Sequence, residues 1–266
     1  MAGRKSIASQ FSEDSSRYHY EVPDWQLHPD PKNRTWVLLN WVGRDKRVLE
    51  LGCSTGYMSK YLVQNQNCSV VGIELDRAAA QQAAKFCREV HVRNLNNADR
   101  FAGLDQQSFD VVLMGDVLEH LTDPRGVLIQ IRKFLDHNAR IVVCLPNVLH
   151  WLTRIKILLG HFDYGPSGTL DHSHLRFFTV KTSRELIESA GYRVTKFRPA
   201  FGGRFCGHAQ AVWQSLADWF PGLFAFQLLY EAEPLEVNAR PEASDQGELA
   251  EPAGSAVSAN DLKSGE

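Results

Sequence analysis

Between Arg47 and Leu145, short apolar runs alternate with stretches of helical spacing. The runs at 47–51, 69–74, 89–92, 109–114 and 139–145 are nearly continuous in apolar residues, as expected of strands covered on both faces. Helices are predicted between them at 56–65, 77–87 and about 123–136, with 94–104 as a linking turn. Such alternation implies a parallel sheet with right-handed crossovers. Upstream, 32–43 places Trp36, Val37, Leu39 and Asn40 at helical spacing, which predicts a helix over the sheet. Downstream, 151–159, 181–190 and 208–219 read as helices and 192–198 as a strand. Thr179 or Thr182 is suited to cap the second of these helices and Gly191 to stop it. Residues 223–231 read as a last strand, with a helix as the alternative.

Chemistry concentrates where the first strand ends. Glu50-Leu-Gly52-Cys53-Ser54-Thr-Gly56-Tyr57 reads as a strand, a tight glycine turn and a helix start. Glycine tolerates positive φ and lets a ligand approach the backbone, and free N–H groups at a helix start favour polar or anionic atoms. The second strand ends in Glu74-Leu75, and a carboxylate there can take both hydroxyls of a ribose. Glu50, Glu74, Asn94, Asp116 and Asn147 all fall at C-terminal strand ends, the ligand side of such sheets.

This ordered set resembles the class I S-adenosylmethionine-dependent methyltransferases. Glu50 to Gly56 looks like their first motif, Glu74 like their ribose acid and Asp110 to Pro124 like their fourth. The resemblance implies an α/β fold: a Rossmann-like, seven-stranded, mostly parallel sheet with helices on both faces, an antiparallel seventh strand and an inserted cap after strand five. It implies S-adenosyl-L-methionine as cofactor, held by Glu50, Gly52, Cys53, Ser54, Gly56, Tyr57, Glu74, Leu75, Asn94, Leu95, Gly115 and Asp116. Two positions depart from the family pattern. Ser54 replaces a usual glycine, and Asn94 stands where an acidic residue often meets the adenine amine. The more glycine-rich turn that a pyrophosphate cofactor prefers is missing, which argues against a nicotinamide enzyme.

After strand five the pattern changes. Residues of about 146–180 form a stretch rich in His, Asp and aromatic groups, read as a substrate-facing cap. Pro146-Asn-Val and Asp171-His-Ser-His174-Leu-Arg-Phe-Phe-Thr179 resemble a bacterial subgroup often associated with glycan, lipopolysaccharide or secondary-metabolite assembly. Methyl transfer to a hydroxyl needs a base, and histidine is best poised near neutral pH. His120 beside Glu119, and His174 three residues after Asp171, are the catalytic candidates; each also has a structural reading, as a helix residue near the cofactor or a pin for the cap. His150 and His172 are weaker candidates. A metal set of Asp171, His172 and His174 matches no defined ligand spacing, so no metal is expected. Arg154, Lys156 and Arg176 suit a substrate phosphate or carboxylate, or simple solvation.

Composition narrows the partners. The formal charge is −2 for 266 residues, with 44% hydrophobic and 23% charged, an ordinary globular balance. Eight acidic and two basic residues lie between Ala232 and Glu266, leaving the body mildly positive. No long basic run or appended RNA-binding module suggests nucleic acid. Cysteines 53, 68, 87, 144 and 206 show no Cys-x-x-Cys pair and read as reduced thiols of a cytoplasmic protein. No apolar run reaches the length of a membrane span. The expected domains are an N-terminal segment at 1–33, whose Tyr18, Tyr20 and Trp25 pack on the core or close over the site, a methyltransferase domain at 34–237, and a disordered acidic tail at 238–266. The functional expectation is O-methylation of a small-molecule or glycan- or lipid-linked acceptor. The alternative is a non-catalytic cofactor-binding module that activates a partner enzyme.

Overall fold

A computed structural model describes residues 33–201 and 208–235. The aromatic residues at 18, 20 and 25, Cys206 and the acidic tail lie outside the described residues. The chain enters through α1 (Arg34–Val42), whose N-cap Asn33 accepts hydrogen bonds from Thr35 N and Trp36 N. Then follow β1 (Arg47–Leu51), α2 (Tyr57–Gln66), β2 (Ser69–Glu74), α3 (Arg77–Ala83), β3 (Glu89–Val92) and β4 (Phe109–Gly115). A 3₁₀ turn (Leu118–His120), α4 (Pro124–Ile131) and β5 (Leu135–Pro146) come next. The remainder is α5 (Trp151–Leu158), α6 (Val180–Ser189), β6 (Tyr192–Ala200), α7 (His208–Trp219), α8 (Pro221–Phe224) and β7 (Gln227–Pro234).

All seven strands join one sheet in the order β3-β2-β1-β4-β5-β7-β6. β7 runs antiparallel to both β5 and β6, while β1 to β5 pair in parallel. This is the mostly parallel seven-stranded sheet expected from the resemblance. The strands are apolar on both sides because both sides are covered. Leu49, Leu51, Val71, Ile73, Val112 and Met114 face one core, and Val48, Val70, Val111 and Leu113 face the other. Alternate residues therefore enter opposite layers, and a polar residue in mid-strand would be buried on either face.

Several boundaries differ from the expectation. The helix at 77–87 stops at Ala83, where Lys85 N and Phe86 N bond three residues back, to Gln82 O and Ala83 O, in place of the four-residue spacing. The helix at 123–136 also stops early. Ile131 gives way to a 3₁₀ turn, Arg132–Phe134, and β5 begins at Leu135, paired with Phe109. Polar residues 136–138 hid this strand start. Asp136 is fixed by the Arg47 guanidinium, and Asn138 takes a positive φ of 63° where the pairing shifts register. The last strand is real but displaced. Leu223 and Phe224 belong to the short helix α8, and β7 runs from Gln227. Thr179 is the cap of α6, in a reciprocal pair with Thr182, and Gly191 follows the helix at φ 85°.

Candidate active site

The turn after β1 is built to expose backbone. Gly52 N and Cys53 N both donate to Ile73 O, at 2.8 and 3.2 Å, and Gly56 N donates to Cys53 O at 2.9 Å. Gly52, Ser54 and Gly56 all take positive φ, at 65°, 49° and 79°. Glycine is required twice over. A Cβ on Gly52 would lie 2.7 Å from Val117 Cγ2, and one on Gly56 would lie 2.7 Å from Ala83 Cα. Ser54 thus occupies the glycine-like conformation that the family pattern leads one to expect, at a cost in backbone strain. The turn is seated deep in the sheet because Cys53 is buried against Gly72, where any side chain would collide with its Sγ.

Glu74 closes this turn from the end of β2. Its Oε2 accepts from Ser54 N at 2.8 Å, and its Oε1 accepts from Leu75 N and Asp76 N at 2.8 and 2.9 Å. Three N–H groups hold the carboxylate in place and leave it further acceptor capacity. Leu75 beside it is 53% exposed, an uncovered apolar surface that suits a flat ring. Glu50 lies fully buried under the turn. Its Oε2 accepts from Ser59 Oγ, while its Oε1 has no partner. Burial pushes its carboxyl up to about 8. The orphaned acceptor, the glycine cradle and the immobilised Glu74 carboxylate together fit S-adenosylmethionine, with its amine, backbone-contacting tail and ribose diol.

Not every predicted contact is assembled. Asn94 Oδ1 accepts from Asn96 N at 2.9 Å, which fixes its amide oxygen in a local turn and leaves a second lone pair. Leu95 is buried in the core. Gly115 ends β4 against Met58, and Asp116 follows with φ 56°. Asp116 Oδ2 accepts from the Arg34 guanidinium and its Oδ1 from Gln227 Nε2 at 2.8 Å. Arg34 and Gln227 carried no local sequence signal, since α1 and β7 meet β4 only through the sheet order. Asn147, expected at the ligand side, instead donates through Nδ2 to Ala225 O at 2.8 Å and accepts from Leu149 N at 3.1 Å. It secures the base of the cap. Likewise Arg154 donates to Leu149 O and Gly222 O, and Arg176 to Thr122 O, so both tie elements together.

The two favoured histidines meet. His120 sits on the 3₁₀ turn after β4 and His174 on the cap, and their rings pack edge to face with centroids 4.9 Å apart. The cap is pinned there because Leu175 N and Arg176 N both donate to Glu119 O, at 2.8 and 3.0 Å. His120 Nδ1 lies 3.1 Å from Ser173 O, and His174 Nδ1 lies 3.1 Å from Thr169 O. A carbonyl only accepts, so each Nδ1 carries a proton, and in a neutral ring the lone pair then lies on Nε2. Burial and the neighbouring His174 hold His120 below the usual histidine range, which keeps it neutral. Glu119 is buried with both carboxylate oxygens unpartnered, and burial, with Asp116 nearby, pushes its carboxyl well up. Asp171 does not orient His174 through a hydrogen bond; its Oδ1 accepts from Ser173 N and Oγ, at 2.8 and 2.6 Å. The set of Asp171, His172 and His174 is not brought together, and His172 is exposed. Among the described residues, Glu119, His120 and His174 are brought together instead, with their donor atoms within 4.8 Å of one another. Asn96 was also missed. Its Oδ1 accepts from Thr122 N at 2.7 Å and its Nδ2 donates to His120 O at 3.3 Å, linking the β3 loop to this turn.

A profile of the methyltransferase-domain family matches residues 28–196. The chain belongs to that family, the class I S-adenosylmethionine-dependent methyltransferases. It is 29% identical over 154 residues to the ubiquinone biosynthesis O-methyltransferase of Idiomarina loihiensis, covering 54% of this chain and 60% of that protein. It is 30% identical over 161 residues to an S-adenosylmethionine-dependent methyltransferase of Mycolicibacterium smegmatis, covering 60% of this chain and 56% of that one. The matches thus span less than two thirds of these relatives. Among solved structures, the magnesium protoporphyrin IX methyltransferase of Synechocystis with bound S-adenosylhomocysteine superposes with a TM-score of 0.52 at 13% identity, over 87% of this chain and 89% of that chain. The [4+2]-cyclase SpnF superposes equally well, with a TM-score of 0.52 at 13% identity over 76% and 80% of the two chains. Likeness at that identity defines the fold, and the reaction has to be argued from the site.

Proposed function

We propose that this protein transfers the methyl group of S-adenosylmethionine to a hydroxyl oxygen of a small-molecule or glycan- or lipid-linked acceptor in the cytoplasm. One observation carries this reading: His120 and His174 converge at the end of β4, each with its Nδ1 proton engaged by a backbone carbonyl and its Nε2 available. The cofactor, when bound, supplies a methyl carbon on a positively charged sulfur, which is already an excellent leaving group. The protein's remaining work is alignment and removal of one proton. Glu74 and the Gly52–Gly56 turn hold the nucleoside and tail, and Glu50 underlies them. The cap brings His174 beside His120, and an acceptor hydroxyl reaching the pair would yield its proton to an imidazole Nε2. The relatives' names, O-methyltransferase among them, support an oxygen acceptor.

The test is a panel of hydroxyl and amino acceptors incubated with S-adenosylmethionine carrying a ¹³C-labelled methyl group, read by NMR. A new labelled methoxy resonance is expected with at least one hydroxyl acceptor. Labelling of amines alone would overturn the oxygen assignment. Tight cofactor binding with no labelled product on any acceptor would favour a module that acts through a partner enzyme.

A further inference from the structure

We propose that Glu119, His120 and His174 form a binding site for a divalent transition-metal ion at the methyl-acceptor end of the site. The inference rests on the same side chains as the proposed methyl transfer and adds an ion to them. Three observations carry it. The donor atoms of the three residues lie within 4.8 Å of one another. The ligands of one tetrahedral zinc stand roughly 3.4 Å apart when each metal–nitrogen distance is about 2.1 Å, so modest side-chain rotation closes the site.

The tautomers are already those of ligands. Ser173 O and Thr169 O each face a histidine Nδ1 at 3.1 Å. Such second partners fix the ring orientation of metal-bound histidines and free Nε2 for the ion. The carboxylate is otherwise unexplained. Glu119 is 1% exposed, and neither of its side-chain oxygens has a hydrogen-bond partner. A buried carboxylate is costly unless it is paired or coordinates a metal. Nearby polar groups are committed elsewhere: Asp171 to Ser173, and Asp116 to Arg34 and Gln227.

Two imidazoles and one carboxylate select a zinc-, cobalt-, manganese- or iron-like divalent ion over magnesium or calcium, which prefer all-oxygen shells. Three protein ligands leave at least one position open, as catalytic sites do. With both Nε2 lone pairs on the ion, a hydroxyl bound there would become more acidic and release its proton to solvent, so that the metal takes over the role of the imidazole base without altering cofactor binding.

The experiment uses the full chain, stripped with chelator, then titrated with Co²⁺ and, separately, equilibrated with Zn²⁺ and gel-filtered for metal analysis. The expected result is about one zinc per chain and saturable visible absorption from Co²⁺. His174→Ala and His120→Ala should each weaken Co²⁺ binding at least 10-fold, whereas His172→Ala, an exposed neighbour outside the cluster, should bind like the wild type. Calorimetry with S-adenosylmethionine alone on the same variants separates the two readings, since cofactor affinity should persist in His174→Ala. Less than a tenth of an equivalent of zinc in the wild type, or unchanged Co²⁺ binding in His174→Ala, would overturn the metal site.

Discussion

Ser54 N donates to Glu74 Oε2 at 2.8 Å, joining the glycine turn after β1 to the carboxylate that ends β2. The two halves of the expected nucleoside pocket are thus one hydrogen-bonded unit before any ligand arrives. Binding then costs little reorganisation, because the acceptor atoms and the turn conformation are already in place.

That unit depends on Gly56. Its φ of 79° and the 2.7 Å approach of a new Cβ to Ala83 Cα leave no room for a side chain, and the obstacle is backbone. Gly56→Ala should destabilise the protein by about 2–3 kcal/mol and weaken cofactor binding together with it. Chemical denaturation and calorimetry on one preparation check both.

Glu50 gives a pH signature. Burial raises its carboxyl to about 8 in the folded chain, whereas it titrates near 4.3 when unfolded. Between those values the folded state holds a proton that the unfolded state releases, so stability falls as pH rises through that window. Glu50→Gln keeps a neutral group of similar shape beside Ser59. The variant should lose less stability than the wild type between pH 5 and pH 8, by an amount on the order of 3–4 kcal/mol. Melting temperatures measured across that range, taken as a difference between the two proteins, isolate this residue.

The paired histidines separate binding from chemistry. His174→Ala should leave S-adenosylmethionine affinity within about twofold and reduce turnover about 100-fold, the usual contribution of a positioned acid–base group. Full turnover in a protein lacking both His120 and His174 would leave alignment alone as the source of rate.

The sequence made the left half of the sheet legible almost to the residue. β1 and β2 are mostly apolar runs buried along nearly their whole length, which local sequence expresses directly, and β3 is a short edge strand set off by polar turns. The start of β5 was not legible. Asp136, His137 and Asn138 look like a helix end, and the partners that hold the chain there, Arg47 on Asp136 and Phe109 beside Leu135, come from distant strands. The site divides in the same way. The glycine turn and Glu74 follow from short-range spacing. By contrast, Arg34 and Gln227 reach Asp116 from opposite ends of the chain, and Asn96 reaches His120 across a loop. Those partners exist only once the sheet order is known. The pairing of His120 with His174 lay between these extremes: both were candidates, but their contact required the cap to dock on Glu119 O.

In the proposed function, the pocket at the ends of β1 and β2 holds S-adenosylmethionine through Glu74. Calorimetric titration of the purified chain with S-adenosylmethionine, repeated on Glu74→Ala, tests it most directly. One-to-one saturable binding is expected in the wild type, with a loss of at least 30-fold in affinity in the variant. Absence of binding in the wild type, or equal binding in both proteins, would contradict it.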